Sequence, residues 1–232
     1  MHDLHTAKNG IALHLDGFAV RFLFFWRYEM KLKNNRAHIL TESAVMVALA
    51  TVLSMLKIWE APYGGSVTIL SMSPIIILSM RRGIKVGLFA GFVHSLIQLL
   101  LGLNNVSYIP TPTGMLICVL TDYILPFTLL GLGGLFRNVK FSGNETVNLF
   151  VAAVLGVLLV CVLRFACHVV SGAVIWYALD LEWYADDPDH IVFRYGPWMF
   201  SMIYNGGYML PETIATVVGT PILTKALSKV KI

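Results

Sequence analysis

The sequence predicts an all-α integral membrane protein, a bundle of six transmembrane helices with cytoplasmic N and C termini. Of its 232 residues, 57% are hydrophobic and only 13% are charged, whereas about 25% of a soluble domain is charged. The apolar residues form long runs separated by short polar breaks, which indicates one helical membrane domain. Six runs approach or exceed the length of a bilayer crossing: Ile39–Leu56, Val67–Met80, Val86–Leu103, Met115–Phe136, Leu149–Tyr177 and Trp198–Leu223.

Basic residues in alternate connections predict the orientation of these helices. They precede the first run, join the second to the third and the fourth to the fifth, and follow the sixth: Lys31, Lys33, Arg36, Arg81, Arg82, Lys85, Arg137, Lys140, Lys225, Lys229 and Lys231. The positive-inside rule places these connections, and both termini, in the cytoplasm. The net charge of +4 is therefore a topology signal, and no nucleic-acid partner is predicted.

Residues 1–29 are predicted to be an extension of a membrane domain that spans residues 30–232. Their apolar run, Phe18–Trp26, is too short to cross a bilayer and lacks a signal-peptide cleavage site. Met30 opens a basic stretch of the kind that begins bacterial membrane proteins, so we expect it to be the true initiator. An amphipathic N-terminal segment is the alternative.

The first run carries small residues that favour helix docking. Ala44 and Ala48 stand four apart, a spacing that lets another helix approach closely. Docking of a partner protein and packing within the bundle both fit this pattern.

The second run follows Tyr63-Gly64-Gly65 and is short. We expect it to begin below the membrane surface or to contain irregular backbone, which a membrane tolerates only beside a cavity. On the third run, His94 and Gln98 are predicted to be packing or helix-kink residues, as is Glu212 after Pro211 on the sixth.

The fourth and fifth runs carry the strongest functional signals. Asp122 is a carboxylate inside an apolar helix, where it needs a partner: a bound cation, or Arg164 in a structural pair. On the fifth run His168 and Trp176 lie two helical turns apart. Aromatic faces near a carboxylate bind delocalised cations, although Trp176 could also belong to the interfacial belt.

The sixth run begins with aromatic side chains and an amide. Phe200 and Tyr204 precede Asn205, whose side chain can both donate and accept hydrogen bonds. Such an amide suits recognition of a nitrogen heterocycle, or joins two helices. The connection before this run collects carboxylates and is interpreted as a solvated outer loop: Asp180, Glu182, Asp186, Asp187 and Asp189.

Several kinds of chemistry are not predicted. The three cysteines lie in apolar runs without C-x-x-C spacing, which argues against disulfides and a zinc site, and no metal ligands or catalytic residues are assigned. No Walker A, HExxH or GxSxG motif occurs, so ATP hydrolysis by this chain is not expected.

The segments LTESAVMVALATVLS, SPIIILSMRRG, TDYILPF, RFACHVVSGAVIW and YNGGYMLPE occur in the order seen in one family. The chain resembles the thiamine-specific S components of energy-coupling factor (ECF) transporters, the ThiT family. The resemblance implies a six-helix bundle in the bacterial plasma membrane that binds thiamine without a cofactor. It also implies partnership with a transmembrane coupling protein and two ATP-binding cassette ATPases, docked through Ala44 and Ala48.

By the same resemblance, the ligand contacts implied are Asp122, Tyr123, His168, Trp176, Asn205, Phe200, Tyr204, Tyr108 and Trp59. Phe200 stands where the family usually has a tyrosine, a loss of one hydrogen bond worth about 0.5–1.5 kcal/mol. Gly65 falls where one relative has a tryptophan, an indole that Trp59 is expected to supply. The alternatives are an S component for another vitamin or a thiamine precursor, and a membrane enzyme that uses His168 and Asp122 as acid and base.

Overall fold

The computed structural model describes residues 36–61 and 64–228. The predicted extension, with Met30, lies outside them. The described elements are, in order, α1 Arg36–Met55, β1 Lys57–Glu60, β2 Ser66–Thr68, α2 Ser73–Arg82, α3 Ile84–Leu101, α4 Leu103–Ser107, α5 Pro112–Gly134, α6 Glu145–Trp183 and α7 Pro197–Ser228. A single 3-10 turn, Ile191–Phe193, lies between α6 and α7.

Four of the described helices are long and apolar enough to cross a membrane, namely α1, α3, α5 and α6. Their mean hydropathy ranges from 1.6 to 2.7. Helix α2 has 10 residues, and α7 has 32 residues with Pro211 and Pro221 inside it. The prediction that the chain is a multi-pass helical membrane protein is therefore confirmed.

The helix predicted over Val67–Met80 begins only at Ser73, so that boundary is wrong. Val67 and Thr68 belong to β2, which pairs antiparallel with β1 in a two-stranded hairpin. The connection adopts a left-handed backbone at Gly65 (φ +88°), and a Cβ there would lie 2.5 Å from the Tyr208 ring. Glycine at this position therefore lets the hairpin pack closely against α7. The irregular backbone expected at the start of the second run corresponds to this hairpin.

Helix α2 forms the centre of the molecule. Ile75, Ile76 and Leu78 are completely buried in the main apolar cluster, with contributions from α1, α3, α5 and α6. The backbones of α3 and α5 meet at Gly131, where a Cβ would lie 2.2 Å from the Leu88 nitrogen. This close packing fixes α5 against α3.

An ionic cluster joins the start of α1 to the end of α2. Glu42 accepts hydrogen bonds from Arg81 Nε, at 2.8 Å, and from Arg82 Nε. Arg81 Nη1 also donates to the carbonyl oxygen of Leu227, at 2.9 Å. The cluster therefore holds α1, α2 and the end of α7 together.

Two helices contain wide π-helical turns that position the site residues described below. In α5 this turn covers Val119–Ile124 and includes Asp122 and Tyr123. In α6 it covers Gly172–Trp176. Such turns shift the side chains that follow them and are frequent at functional sites.

Candidate functional site

A cavity of about 440 Å³ lies between the hairpin and helices α1, α3, α5, α6 and α7. Small-molecule sites usually measure about 300–1,000 Å³. Its wall includes most of the predicted contacts: Asp122, Tyr123, His168, Trp176, Phe200, Tyr204 and Asn205.

The Asp122 carboxylate accepts four hydrogen bonds. His168 Nδ1 donates to Oδ1 at 3.1 Å, while Ser171 Oγ, at 2.5 Å, and Trp176 Nε1, at 2.9 Å, donate to Oδ2. Cys118 Sγ completes the set at 3.4 Å from Oδ2. These hydrogen bonds offset the free-energy cost of placing a carboxylate in an apolar helix. They also fix the planes of the imidazole and indole rings.

Arg164 is linked to Asp122 through His168 rather than directly. Arg164 Nε lies 3.3 Å from His168 Nε2 and can only donate. His168 Nε2 must therefore accept, so the neutral ring carries its proton on Nδ1 and donates it to Asp122. The direct Asp122–Arg164 pair considered from the sequence does not form. The Arg164 guanidinium also lies 4.9 Å from the centre of the Phe127 ring, a cation–π distance.

The Asn205 amide is bonded within the protein. Its Nδ2 donates to the carbonyl oxygen of Ser201, at 2.9 Å, and to that of His168, at 3.3 Å. Its Oδ1 accepts from the Tyr208 hydroxyl at 2.7 Å. Asn205 thus joins α6 to α7 in the cavity wall.

Aromatic side chains complete this wall. Phe200 is buried, with its ring centre 6.2 Å from that of Tyr204. The Tyr204 hydroxyl donates to the carbonyl oxygen of Gly64 at 2.9 Å. On α5, the Tyr123 hydroxyl donates to the carbonyl oxygen of Gly102 at 3.0 Å. Tyr204 thereby ties the hairpin to α7, and Tyr123 ties α5 to the end of α3.

The structure does not bring Trp59 and Tyr108 to this cavity. Trp59 is half exposed on β1, and no part of it lines the wall. Tyr108 is also half exposed and packs edge-on against Trp183, with ring centres 5.8 Å apart. The indole expected of Trp59 is therefore not part of the cavity wall in this structure.

Several residues of the cavity wall were not predicted as contacts, among them Asp180, Gln98 and Arg164. Asp180, assigned to a solvated connection, is only 5% exposed, lies within α6 and lines the cavity. Its spacing of four from Trp176, one helical turn, was the available signal. Gln98, interpreted as packing, donates from Nε2 to Ser54 Oγ at 2.6 Å in the wall. Arg164 was considered only as a structural partner.

Glu212 anchors the hairpin beside the cavity. Its carboxylate is 2% exposed and accepts from the Thr68 backbone nitrogen at 2.6 Å and from Thr68 Oγ1 at 2.7 Å. Thr68 itself lines the cavity. The hairpin is therefore attached to α7 at Thr68, through Glu212, and at Gly64, through Tyr204.

Ala44 and Ala48 do not line the cavity and lie on the exposed face of α1. Their side chains are not packed within the bundle formed by the described ranges. Across residues 36–61 and 64–228, no group of three or more His, Cys, Asp or Glu side chains could hold a metal ion.

Comparisons with known proteins identify the family. The profile of the family described as "Thiamine transporter protein (Thia_YuaJ)" matches residues 40–232. The thiamine transporter ThiT of Bacillus subtilis (strain 168) is 33% identical over 180 residues, which cover 75% of this chain and 84% of that protein. ThiT of Lacticaseibacillus paracasei is 29% identical over 193 residues, 80% of this chain and 86% of that protein.

A solved structure supports the same assignment. ThiT from Listeria monocytogenes matches with a TM-score of 0.65 and 26% identity, covering 85% of this chain and 99% of that one. These relatives are transporters rather than enzymes, so the alternative of a membrane enzyme is not supported. With its several apolar helices, the chain is a multi-pass protein of the bacterial plasma membrane, and it belongs to the thiamine transporter protein family.

Proposed function

We propose that the chain is the thiamine-binding S component of an ECF-type uptake transporter. It captures thiamine from outside in the cavity described above. A transmembrane coupling protein and two ATP-binding cassette ATPases then drive its delivery to the cytoplasm. The observation that carries this proposal is the cavity itself, in which a partly buried carboxylate lies among an imidazole, an indole and phenol rings.

The chemistry of thiamine fits this wall. Thiamine combines a permanently charged thiazolium ring with a flat aminopyrimidine ring, and both can stack on aromatic side chains. The Trp176 indole is held by its bond to Asp122, so its face is oriented before the ligand arrives. Such preorganisation strengthens binding because less side-chain freedom is lost.

Six crossings with both termini in the cytoplasm complete the proposal. The ionic cluster of Glu42, Arg81 and Arg82 lies near the start of α1, at the basic end of the bundle. The cavity is lined by Ser54 and Met55 at the other end of α1, about 18 Å further along that helix at 1.5 Å per residue. This separation supports a cavity that faces outward. The hairpin with α2, and the proline-containing α7, supply the remaining two crossings.

The small-residue stripe supports the partnership. Ala44 and Ala48 are exposed, which suits close approach of a helix from another protein. No Walker A motif occurs in the sequence, so this chain is not expected to hydrolyse ATP by that route, and in this proposal partner ATPases supply the energy for uptake.

Reconstitution tests this function. The purified chain, assembled with an ECF coupling protein and its ATPases in proteoliposomes, should take up labelled thiamine only when ATP is supplied on the ATPase side. Riboflavin and biotin serve as control substrates. Thiamine uptake of equal rate without the ATPases would refute the proposal.

A further inference from the structure

A second cavity, of about 290 Å³, lies between the beginnings of α1 and α3 and shares no residue with the cavity described above. We call it the α1–α3 groove. Its volume is close to the lower end of the range for small-molecule sites, about 300–1,000 Å³, so it suits part of a larger molecule. Its wall includes two cations and four apolar residues: Arg36, Lys85, Ile39, Leu40, Val86 and Phe89.

The groove is positively charged. Arg36 and Lys85 are both exposed, and no carboxylate lines the wall. Within the described part of the chain, neither cation forms an ion pair, and the carboxylate of Glu42 on α1 is bonded to Arg81 and Arg82 instead. Two neighbouring cations without a compensating anion favour a ligand that carries negative charge.

The apolar residues of the groove lie deeper along the two helices than the cations. Leu40 follows Arg36 by four residues, and Phe89 follows Lys85 by four, so each lies about 6 Å further along its helix. The exposed fractions of Leu40 and Phe89 are 64% and 62%. Because α1 and α3 are both long and apolar enough to cross a membrane, these side chains suit the hydrocarbon of the bilayer.

This order of groups matches a phospholipid, whose charged headgroup is followed by apolar acyl chains. Basic pockets between transmembrane helices on the cytoplasmic side bind anionic headgroups, and the groove lies on that side in the proposed orientation. Its limited volume would hold the phosphate and the first part of an acyl chain, while the rest of the lipid stays in the bilayer.

Other occupants fit the charge of the groove less well. Residues 1–35 of this chain contain five Lys and Arg residues against three Asp and Glu, so their net charge has the same sign as that of the groove. The proposed docking surface continues from Leu40 to Ala44, one turn further along α1, but an apolar partner helix would leave Arg36 and Lys85 without an anion.

We propose that the α1–α3 groove binds one anionic phospholipid, with the phosphate between Arg36 and Lys85 and an acyl chain along Leu40 and Phe89. This site goes beyond the proposed function, because it is separate from the thiamine cavity and does not depend on the identity of the transported ligand.

Native mass spectrometry of the full-length chain tests the assignment. The detergent-purified protein is titrated with dioleoyl phosphatidylglycerol, which is anionic, and with dioleoyl phosphatidylcholine, which has the same acyl chains and no net charge. We expect one phosphatidylglycerol to bind about tenfold or more tightly than phosphatidylcholine, because two cations contact its headgroup. Equal binding of the two lipids would overturn the inference, and this comparison needs no variant to fold.

Arg36→Gln/Lys85→Gln locates the site. This double variant should lose the preference for phosphatidylglycerol and melt at the wild-type temperature, since both side chains are exposed. Arg137→Gln/Lys140→Gln is the matched control, because it removes the same two kinds of charge from exposed positions outside the groove, and it should keep the preference. Wild-type lipid binding by the groove variant, or equal loss in the control, would overturn the inference.

Glycerol 3-phosphate distinguishes a lipid from a soluble phosphate. It carries the anionic group without acyl chains, so at the same concentration it should not displace phosphatidylglycerol from the wild type. Displacement would show that the apolar wall of the groove contributes nothing and would overturn the assignment to a lipid. If the groove variant bound phosphatidylglycerol normally but failed to assemble with the coupling protein, the groove would belong to that partner instead.

Discussion

Asp122 is tolerated in an apolar helix because neighbouring side chains donate hydrogen bonds to its carboxylate. The four donors around it replace water, and three of them lie on α6: His168, Ser171 and Trp176. The carboxylate therefore contributes to the packing of α5 on α6 as well as to the charge of the cavity. A change at this residue should affect both stability and ligand affinity.

Asp122→Asn tests this double role. The amide has one acceptor oxygen, so its NH2 group must face a donor, and a buried unsatisfied polar group costs about 1–3 kcal/mol. We expect a lower melting temperature without ligand and a thiamine affinity weakened by about tenfold or more. Calorimetric melting and titration measure the two effects. Unchanged values in both would contradict the role given to Asp122.

The Asn205 amide is predicted to stabilise the contact between α6 and α7. Because its amide is bonded to Ser201, His168 and Tyr208, Asn205→Ala should lower the melting temperature of the ligand-free protein. Tyr177→Phe, which removes one exposed hydroxyl bond to Tyr195, is the control and should melt like the wild type. Loss of thiamine binding with an unchanged melting temperature would assign Asn205 to the ligand alone.

The sequence identified polar residues that lie in apolar helices, because such residues are rare there and require a partner. Asp122, His168 and Asn205 were found in this way. Asp180 was missed because the acidic residues that follow it are typical of a solvated loop, so the helix was predicted to end before it. Trp59 and Tyr108 were placed in the site by resemblance, yet the direction of a side chain on a hairpin or short helix depends on tertiary packing that periodicity does not encode.

At the scale of elements, the hairpin depends on α7. Glu212 accepts from the backbone nitrogen and hydroxyl of Thr68, so this carboxylate helps to hold β2 against the cavity. The helical pattern of the surrounding runs did not predict a strand there; the glycines at positions 64 and 65 were the signal for irregular backbone.

Glu212→Ala should release the hairpin. The Thr68 amide hydrogen, now without its acceptor, should exchange with solvent faster, and thiamine should dissociate faster. Hydrogen exchange and stopped-flow release measure these effects. Thr224→Val is the control, since it removes a buried hydroxyl bond to Thr220 elsewhere on α7. If Thr68 exchanged at the wild-type rate in Glu212→Ala, the anchoring role would be wrong.

Helix α1 carries the proposed docking surface. Replacing Ala44 and Ala48 together by phenylalanine should leave thiamine binding intact and abolish uptake by the reconstituted transporter, because bulky side chains prevent close helix approach. Leu49→Phe, at an exposed position that is neither three nor four residues from Ala44 or Ala48, should transport normally. Normal uptake by the double variant, with the complex assembled, would contradict the docking role.

For the whole molecule, the proposed orientation rests on the separation of the two ends of α1. In this proposal the ionic cluster around Glu42 and the basic connections lie on one side of the membrane, and the cavity lies towards the other. Composition and charge pattern were sufficient to predict a multi-pass helical protein. They indicated that the second run is short, but they did not reveal the hairpin before it, because the pairing of its strands depends on tertiary contacts.

Labelling from one side of the membrane tests this orientation. In a background with Cys118, Cys161 and Cys167 replaced, a cysteine at Asp187 should react with an impermeant maleimide on intact cells. A cysteine at Lys140 should react only after permeabilisation. Both positions are exposed, so access depends on the side of the membrane. The reverse pattern would place the termini outside.

The central claim is that the cavity between the hairpin and the helices binds thiamine. Isothermal titration of the detergent-purified chain with thiamine, riboflavin and biotin tests it most directly. We predict saturable one-to-one binding of thiamine alone, lost or weakened in Asp122→Asn. Absence of heat with thiamine, or equal binding of riboflavin or biotin, would contradict the account.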